Sequence, residues 1–161
     1  MSERMIRSTC AYLIRDRSWL MLLRNRKQHD INHGKWIGVG GKNLENESFR
    51  DCAAREIREE TGLEVQNLEF HGFVYFTYLH QESEKIAIYS CTSFTGEPAD
   101  CNEGTLEWIP QEQVMSLELW EGDRIFLNRM LTEPHARFCY ELSYDENGRM
   151  TAAKERMTEY E

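Results

Sequence analysis

The stretch that most restricts the fold is "SFRDCAAREIREETGLEV", residues 48–65. Advancing about 100° per residue from Phe49 returns Cys52, Ala53 and Ile57 to one side, so the segment reads as an amphipathic helix packed on a core. Ser48, with Asp51 three residues on, resembles a capping box at its start. Gly62 supplies the left-handed residue just past its end, and Leu63 the apolar contact that often accompanies such a stop. The same wheel puts Glu56 and Glu60 in the core sector and Glu59 at its edge beside Cys52, with Arg50, Asp51 and Arg58 opposite. The inward face is therefore apolar in its first turns and anionic in its last.

Carboxylates three and four residues apart on a helix repel one another, and these also stand at the negative end of the helix dipole. Held away from bulk water they would be driven toward protonation unless a cation compensates. Clustered hard oxygen ligands suit Mg2+ or Mn2+, which leave positions for water and substrate phosphates. The pattern predicts a divalent-metal site. Arg55 offers a five-donor fork able to orient Glu56 or Glu47 by paired hydrogen bonds. The glycines of "WIGVGGK", at 38, 40 and 41, permit close backbone approach just before the helix, where a carbonyl can complete a metal shell.

Elsewhere the period is two. Residues 6–14 and 19–24 read as strands joined by the turn "RDRS", followed by the polar loop "NRKQHDINHGK". "LEFHGFVYFTYLH" and "KIAIYSCTSFTG" read as long antiparallel strands separated by "QESE", and "TLEWIP" as a short strand ended by Pro110. A short helix after Pro110 and a longer one over "GDRIFLNRML" follow. The final region alternates Phe138, Tyr140, Leu142 and Tyr144 up to Asn147-Gly148, the strongest local hairpin signal in the chain. No repeat or linker divides the sequence, so residues 1–161 read as a single domain with a core over about 5–133 and a hairpin extension over about 135–157. The histidines at 29, 33, 71, 80 and 135 show no metal spacing and read as loop or strand residues.

The 40 % apolar fraction, with four Trp, seven Tyr and seven Phe, predicts a packed core. A net charge of −9 argues against binding a nucleic-acid polymer or an anionic membrane, both of which need cationic surface. It is compatible with a small phosphorylated ligand bound through metal ions. Five scattered cysteines without a C-x-x-C pair read as reduced thiols. No signal-peptide pattern and no run of about 20 apolar residues is present, so the expected location is the cytoplasm.

Gly41, Glu47, Arg55-Glu56-Ile57, Glu59-Glu60 and Gly62-Leu63 match, at every fixed position and spacing, the 23-residue box of the Nudix hydrolases. From about residue 5 to 133 the chain resembles their MutT-like branch and, within it, the 8-oxo-dGTP diphosphatases. The resemblance implies an α/β/α sandwich around a mixed sheet and Mg2+-dependent hydrolysis, with Mn2+ as a substitute, of a nucleoside diphosphate linked to a further group. It implies Glu56 as base or metal-bridging residue and Glu59 and Glu60 as main metal ligands. The Gly40 carbonyl and Glu103 would be further ligands, with Gly41, Glu47, Arg55 and Gly62 in supporting or orienting roles. Glu103, in "CNEGTLEW", is the best match to a family glutamate outside the box.

For the substrate base, Trp36 and Trp120 offer flat stacking surfaces, and Asp123 takes the place where relatives read the base edge with an acidic residue. Ile37 stands where those relatives often have a base-reading Asn. The expected reaction is cleavage of a purine nucleoside triphosphate, an oxidised one by resemblance, to the monophosphate and pyrophosphate. Hydrolysis of ADP-ribose, a dinucleoside polyphosphate or a nucleotide sugar is the alternative, and a non-catalytic nucleotide-sensing module a second. Monomer and homodimer are both compatible, and the last hairpin could cover a base pocket or form a dimer edge.

Overall fold

The computed structural model describes residues 5–78 and 82–161. Its elements in chain order are β1 (Ile6–Arg15), β2 (Ser18–Leu23), β3 (Trp36–Ile37), α1 (Phe49–Thr61), β4 (Glu64–Tyr78), β5 (Glu84–Thr95), β6 (Thr105–Pro110), a short 3-10 helix (Gln111–Ser116), α2 (Asp123–Thr132), β7 (Phe138–Tyr144) and β8 (Met150–Glu155). Leu79 and His80, expected at the end of β4, lie outside the described residues. The strands form one mixed sheet in the order β3-β2-β1-β5-β4-β7-β8, with β6 also paired to β2. β1 runs parallel to β5 and β4 parallel to β7; the other pairings are antiparallel.

Period-two alternation divides the core between the two faces of this sheet. Ala11 and Leu13 of β1, Leu20 of β2 and Phe73 of β4 join Phe49, Ala53 and Ile57 of α1. Tyr12, Trp19, Met21 and Val74, one residue out of phase, join Phe126, Leu127 and Met130 of α2. The sheet is thus covered on both faces, as the α/β/α expectation required. None of the described helices is long and apolar enough to cross a membrane.

The turns explain how the strands are joined. Asp16 and Arg17 both take positive φ (52° and 63°), the two-residue geometry whose twist suits an antiparallel pair. Helix α1 begins where the Ser48 hydroxyl accepts the Asp51 N–H (3.1 Å) and ends at Gly62 (φ 78°), whose N–H donates to the Arg58 carbonyl. The last hairpin forms, but with a wider turn than a two-residue Asn-Gly connection. Only Gly148 is left-handed (φ 77°), and the Asp145 carboxylate accepts the N–H groups of Asn147 and Arg149 at 2.9 and 3.0 Å.

That hairpin does not stand apart from the core. β7 pairs with β4 from Gly72↔Phe138 to Tyr78↔Tyr144 and so extends the central sheet. Gly72, at a register shift in β4 with φ 146°, is what lets β7 approach. A Cβ there would lie 1.7 Å from the Phe138 carbonyl oxygen, backbone that cannot swing aside. Gly72→Ala should therefore cost about 2–3 kcal/mol or more through strain and lost pairing. Urea unfolding measures this, and a loss below about 1 kcal/mol would mean that the β4–β7 contact is not made as described.

Candidate active site

The C-terminal half of α1 meets the Gly-rich segment that follows β3. Val39 and Gly41 both bond to β1, through Val39 with Ala11 and through the Thr9 N–H on the Gly41 carbonyl (2.9 Å). Gly40 between them turns the other way, and its N–H donates to Glu60 Oε2 at 3.2 Å. At Gly41 a Cβ would fall 2.6 Å from the Glu56 carboxyl carbon, so a glycine is needed for that side chain to lie against the backbone.

Arg55 gathers the box. Its Nε and Nη2 grip both Glu47 oxygens (2.7 and 3.0 Å), and its Nη1 reaches Glu56 (2.8 Å) and Glu59 (3.0 Å). Nη2 also donates to the Lys42 carbonyl. The grip on Glu47 holds that carboxyl down at about 2. Burial pushes the Glu56 carboxyl up, against the pull of Arg55. Glu60 is only 9 % exposed; burial first, then the nearby charges of Glu56 and Glu103, raise it to about 8. Glu59 differs from its two neighbours: its side chain is 57 % exposed and stays at the lip.

Glu103 arrives from the far side. The antiparallel register of β2 and β6, with Leu23 opposite Thr105, sets the preceding loop beside the end of β2. There Arg24 forms ion pairs with Glu103 (2.9 Å) and Asp30 (2.7 Å). Among the described residues no three His, Cys, Asp or Glu side chains already form a metal cage. The donor chemistry nevertheless fits a hard divalent cation. Glu60 is a buried carboxylate whose hydrogen bond is a single backbone N–H, and the fields of Glu56 and Glu103 converge on it.

The other end of the candidate site lies at the start of α2. Asp123 is half-buried, its carboxyl has no hydrogen-bond or ion-pair partner among the described residues, and burial pushes that carboxyl up to about 7, with Lys35 opposing. Trp120 is not the open stacking surface expected: it is 5 % exposed, with edge contacts to Phe76, Tyr78 and Tyr144. The Lys35 ammonium lies 5.5 Å from its ring centroid, and its indole N–H donates to Asn32 Oδ1 at 2.7 Å. Trp36 and Ile37 are half-buried against the α2-side core. Between the two ends lies Cys10, whose thiol feels both Asp123 and Glu60 and is raised by burial to about 12.

A NUDIX domain model matches residues 5–130. The chain belongs to the Nudix family. It is 30 % identical over 119 residues to the oxidized purine nucleoside triphosphate hydrolase of Mus musculus, covering 73 % of this chain and 75 % of that protein. Identity to the protein of the same name from Danio rerio is also 30 %, over 68 % and 71 % of the two chains. The crystal structure of a MutT protein from Bacillus halodurans superposes with a TM-score of 0.84, covering 94 % of this chain and 97 % of that one at 23 % identity. The molecule is a MutT-like Nudix phosphoanhydride hydrolase.

The Nudix fold brings Gly40, Gly41, Glu47, Arg55, Glu56 and Glu60 together, with the charge of Glu103 reaching Glu60, Glu59 exposed beside them and Gly62 closing the helix. Asp123 and Trp120 sit together at the start of α2. Reading the sequence alone missed Arg24, Asp30, Asn32 and Lys35, all in or beside a loop that looked merely polar. The Asp30-Ile31-Asn32 spacing, which allows an Asp side chain to accept the N–H two residues on, was the available signal.

Burial of Glu60 has a measurable consequence. Because its folded-state value lies above the ordinary one, the folded protein keeps a proton that the unfolded chain releases, and stability falls as pH rises from about 4.5 through about 8. In chelator, Glu60→Gln should lose less stability than the wild type between pH 5 and 8.5. Identical pH profiles in thermal or urea unfolding would show that Glu60 is not desolvated.

Proposed function

We propose that this Nudix enzyme cleaves a purine nucleoside triphosphate, an oxidised one such as 8-oxo-dGTP, to the nucleoside monophosphate and pyrophosphate. The observation that carries this reading is the unpartnered Asp123 carboxyl beside Trp120, in a chain 30 % identical to two oxidized purine nucleoside triphosphate hydrolases. A carboxyl held near neutrality can donate as well as accept on a base edge. A site built on such bonds discriminates strongly, because the wrong base leaves a buried polar group unpaired.

At the other end, the Gly40 carbonyl, Glu56, Glu59, Glu60 and Glu103 are the candidate holders of Mg2+, with Mn2+ as its substitute. The bound ion would neutralise phosphoanhydride oxygens and acidify the attacking water. Arg55 holds Glu56 by one oxygen, Oε1, which leaves the second oxygen to take the proton of that water. Glu47 fixes Arg55, and Gly41 admits the Glu56 carboxyl to the backbone. The five free cysteines fit a reducing compartment, the cytoplasm.

Steady-state kinetics with Mg2+ across 8-oxo-dGTP, dGTP, ATP, ADP-ribose and dinucleoside polyphosphates tests the assignment. The kcat/KM for 8-oxo-dGTP should exceed that for dGTP, and Asp123→Ala should flatten preference among bases. Glu59→Gln and Glu60→Gln should each abolish turnover while leaving the chelated protein as stable or more stable, since a repelling charge is gone. Faster cleavage of ADP-ribose or a dinucleoside polyphosphate than of any triphosphate would overturn the base assignment. Near-normal turnover in both Gln variants would overturn the metal assignment.

A further inference from the structure

The polar loop between β2 and β3 links Glu103 to Trp120 through a run of ion-pair and hydrogen-bond contacts, one of them made by a backbone N–H. Starting from Glu103, the carboxylate pairs with Arg24 Nη2 at 2.9 Å, and Arg24 Nε lies 2.7 Å from Asp30 Oδ2, an ion-pair contact without hydrogen-bond geometry. The other Asp30 oxygen accepts the Asn32 N–H at 3.1 Å. Asn32 Oδ1 in turn accepts the Trp120 indole N–H at 2.7 Å. Arg24 and Asp30 are well shielded, with side chains 16 % and 10 % exposed, so these links are screened less than ordinary surface pairs. The backbone pins the same loop: Arg24 N–H donates to the Lys35 carbonyl (3.0 Å), and Gly34 N–H donates to the Arg24 carbonyl (2.7 Å).

We infer that Arg24 and Asn32 are positioning residues that couple the metal-binding carboxylate Glu103 to the base-side Trp120. The inference rests on the proposed function, because it takes Glu103 as a metal ligand and Trp120 as a wall of the base site. One guanidinium cannot follow Glu103 without disturbing Asp30. Asp30 accepts one of Asn32's two bonds in this chain, and the other fixes the tilt of the Trp120 indole. A cation that draws Glu103 toward Glu60 therefore pulls on Arg24, and the loop carries that pull to Trp120. By reciprocity, a base seated against Trp120 tightens the cation. Each link is a charged or hydrogen-bonded contact with named atoms, so it can be cut by a single substitution that leaves Glu103 and Trp120 themselves unchanged.

The experiment follows the indole N–H resonances of the four Trp residues in a proton–nitrogen correlation spectrum during Mg2+ titration without nucleotide, with Trp120→Phe assigning the Trp120 peak. Thermal stabilisation by Mg2+ is read in parallel on the same samples. In the wild type the Trp120 peak should move with the midpoint at which Mg2+ stabilises the fold. In Asn32→Ala it should stand still while Mg2+ stabilisation is kept. In Arg24→Gln it should also stand still, and the Mg2+ dissociation constant should rise by about tenfold, as for loss of a residue that orients a ligand. Arg24→Lys, which keeps the charge but not the two-sided fork, should recover metal affinity without recovering the Trp120 movement. A Trp120 peak that moves equally in wild type and Arg24→Gln, or one that never moves while Mg2+ stabilises the wild type, overturns the coupling and leaves the metal site standing. Absence of any Mg2+ stabilisation overturns the metal reading and the coupling with it.

Discussion

One guanidinium, that of Arg55, spans Glu47, Glu56, Glu59 and the Lys42 carbonyl, and the geometry of the glutamate cluster depends on it. Three carboxylates at this density would repel and splay apart. Arg55 turns the repulsion into a fixed arrangement, because its planar fork satisfies several oxygens at once and stays charged at any relevant pH. It also staples the loop ahead of α1 to the helix, which holds Gly40 and Gly41 against β1. Glu60 is the one box carboxylate that Arg55 does not reach. Among the described residues it is buried with only the Gly40 N–H as hydrogen-bond partner, and an added cation is the group that could compensate it.

The helix was legible because its information is local. The spacing of Phe49, Cys52, Ala53 and Ile57, the Ser48 cap and the Gly62 stop all act within one or two turns, and each is found where the spacing put it. The mixed sheet covered on both faces was legible for a similar reason, since period-two runs on either side of an amphipathic helix leave few other architectures. Less could be read at longer range. Nothing in the Phe138–Tyr144 alternation says that its partner is β4 or that the pairing is parallel, because strand partnership is set by contacts some 66 residues apart in this chain (138 − 72 = 66). The burial of Trp120 escaped for the same reason. Its neighbours Phe76, Tyr78 and Tyr144 come from two other strands, and the Lys35 ammonium over its ring comes from a loop.

The region around the start of α2 carries polar groups that folding alone does not explain. Among the described residues the Asp123 carboxyl has no partner, and the fully buried Tyr12 hydroxyl lies near Cys10 and Gly38 without a hydrogen bond of acceptable geometry. An unsatisfied buried hydroxyl costs on the order of 1–3 kcal/mol, and a core of Phe and Leu would be more stable. Costs of this kind gather where a protein keeps groups ready for a ligand. For the base site proposed above, Ile37 offers no polar edge, so polar recognition would come from Cys10, Tyr12 and Asp123.

In the proposed reaction Glu60 and Asp123 would place opposite demands on protonation. Glu60 would have to lose its proton to hold a cation, so metal affinity would rise as pH climbs toward about 8. Asp123, raised to about 7, must keep its proton to donate to a base acceptor. With Mg2+ saturating, the Glu60 requirement is met at every pH in the working range and only Asp123 continues to titrate. KM for the preferred purine triphosphate should then rise as pH passes upward through about 7, and Asp123→Asn, which can donate at any pH, should give a flat profile. Measuring KM from pH 6 to 9 at saturating Mg2+ decides the matter. A rise of equal size in Asp123→Asn would assign the titration to the substrate or to another residue, and Asp123 would then be an acceptor only.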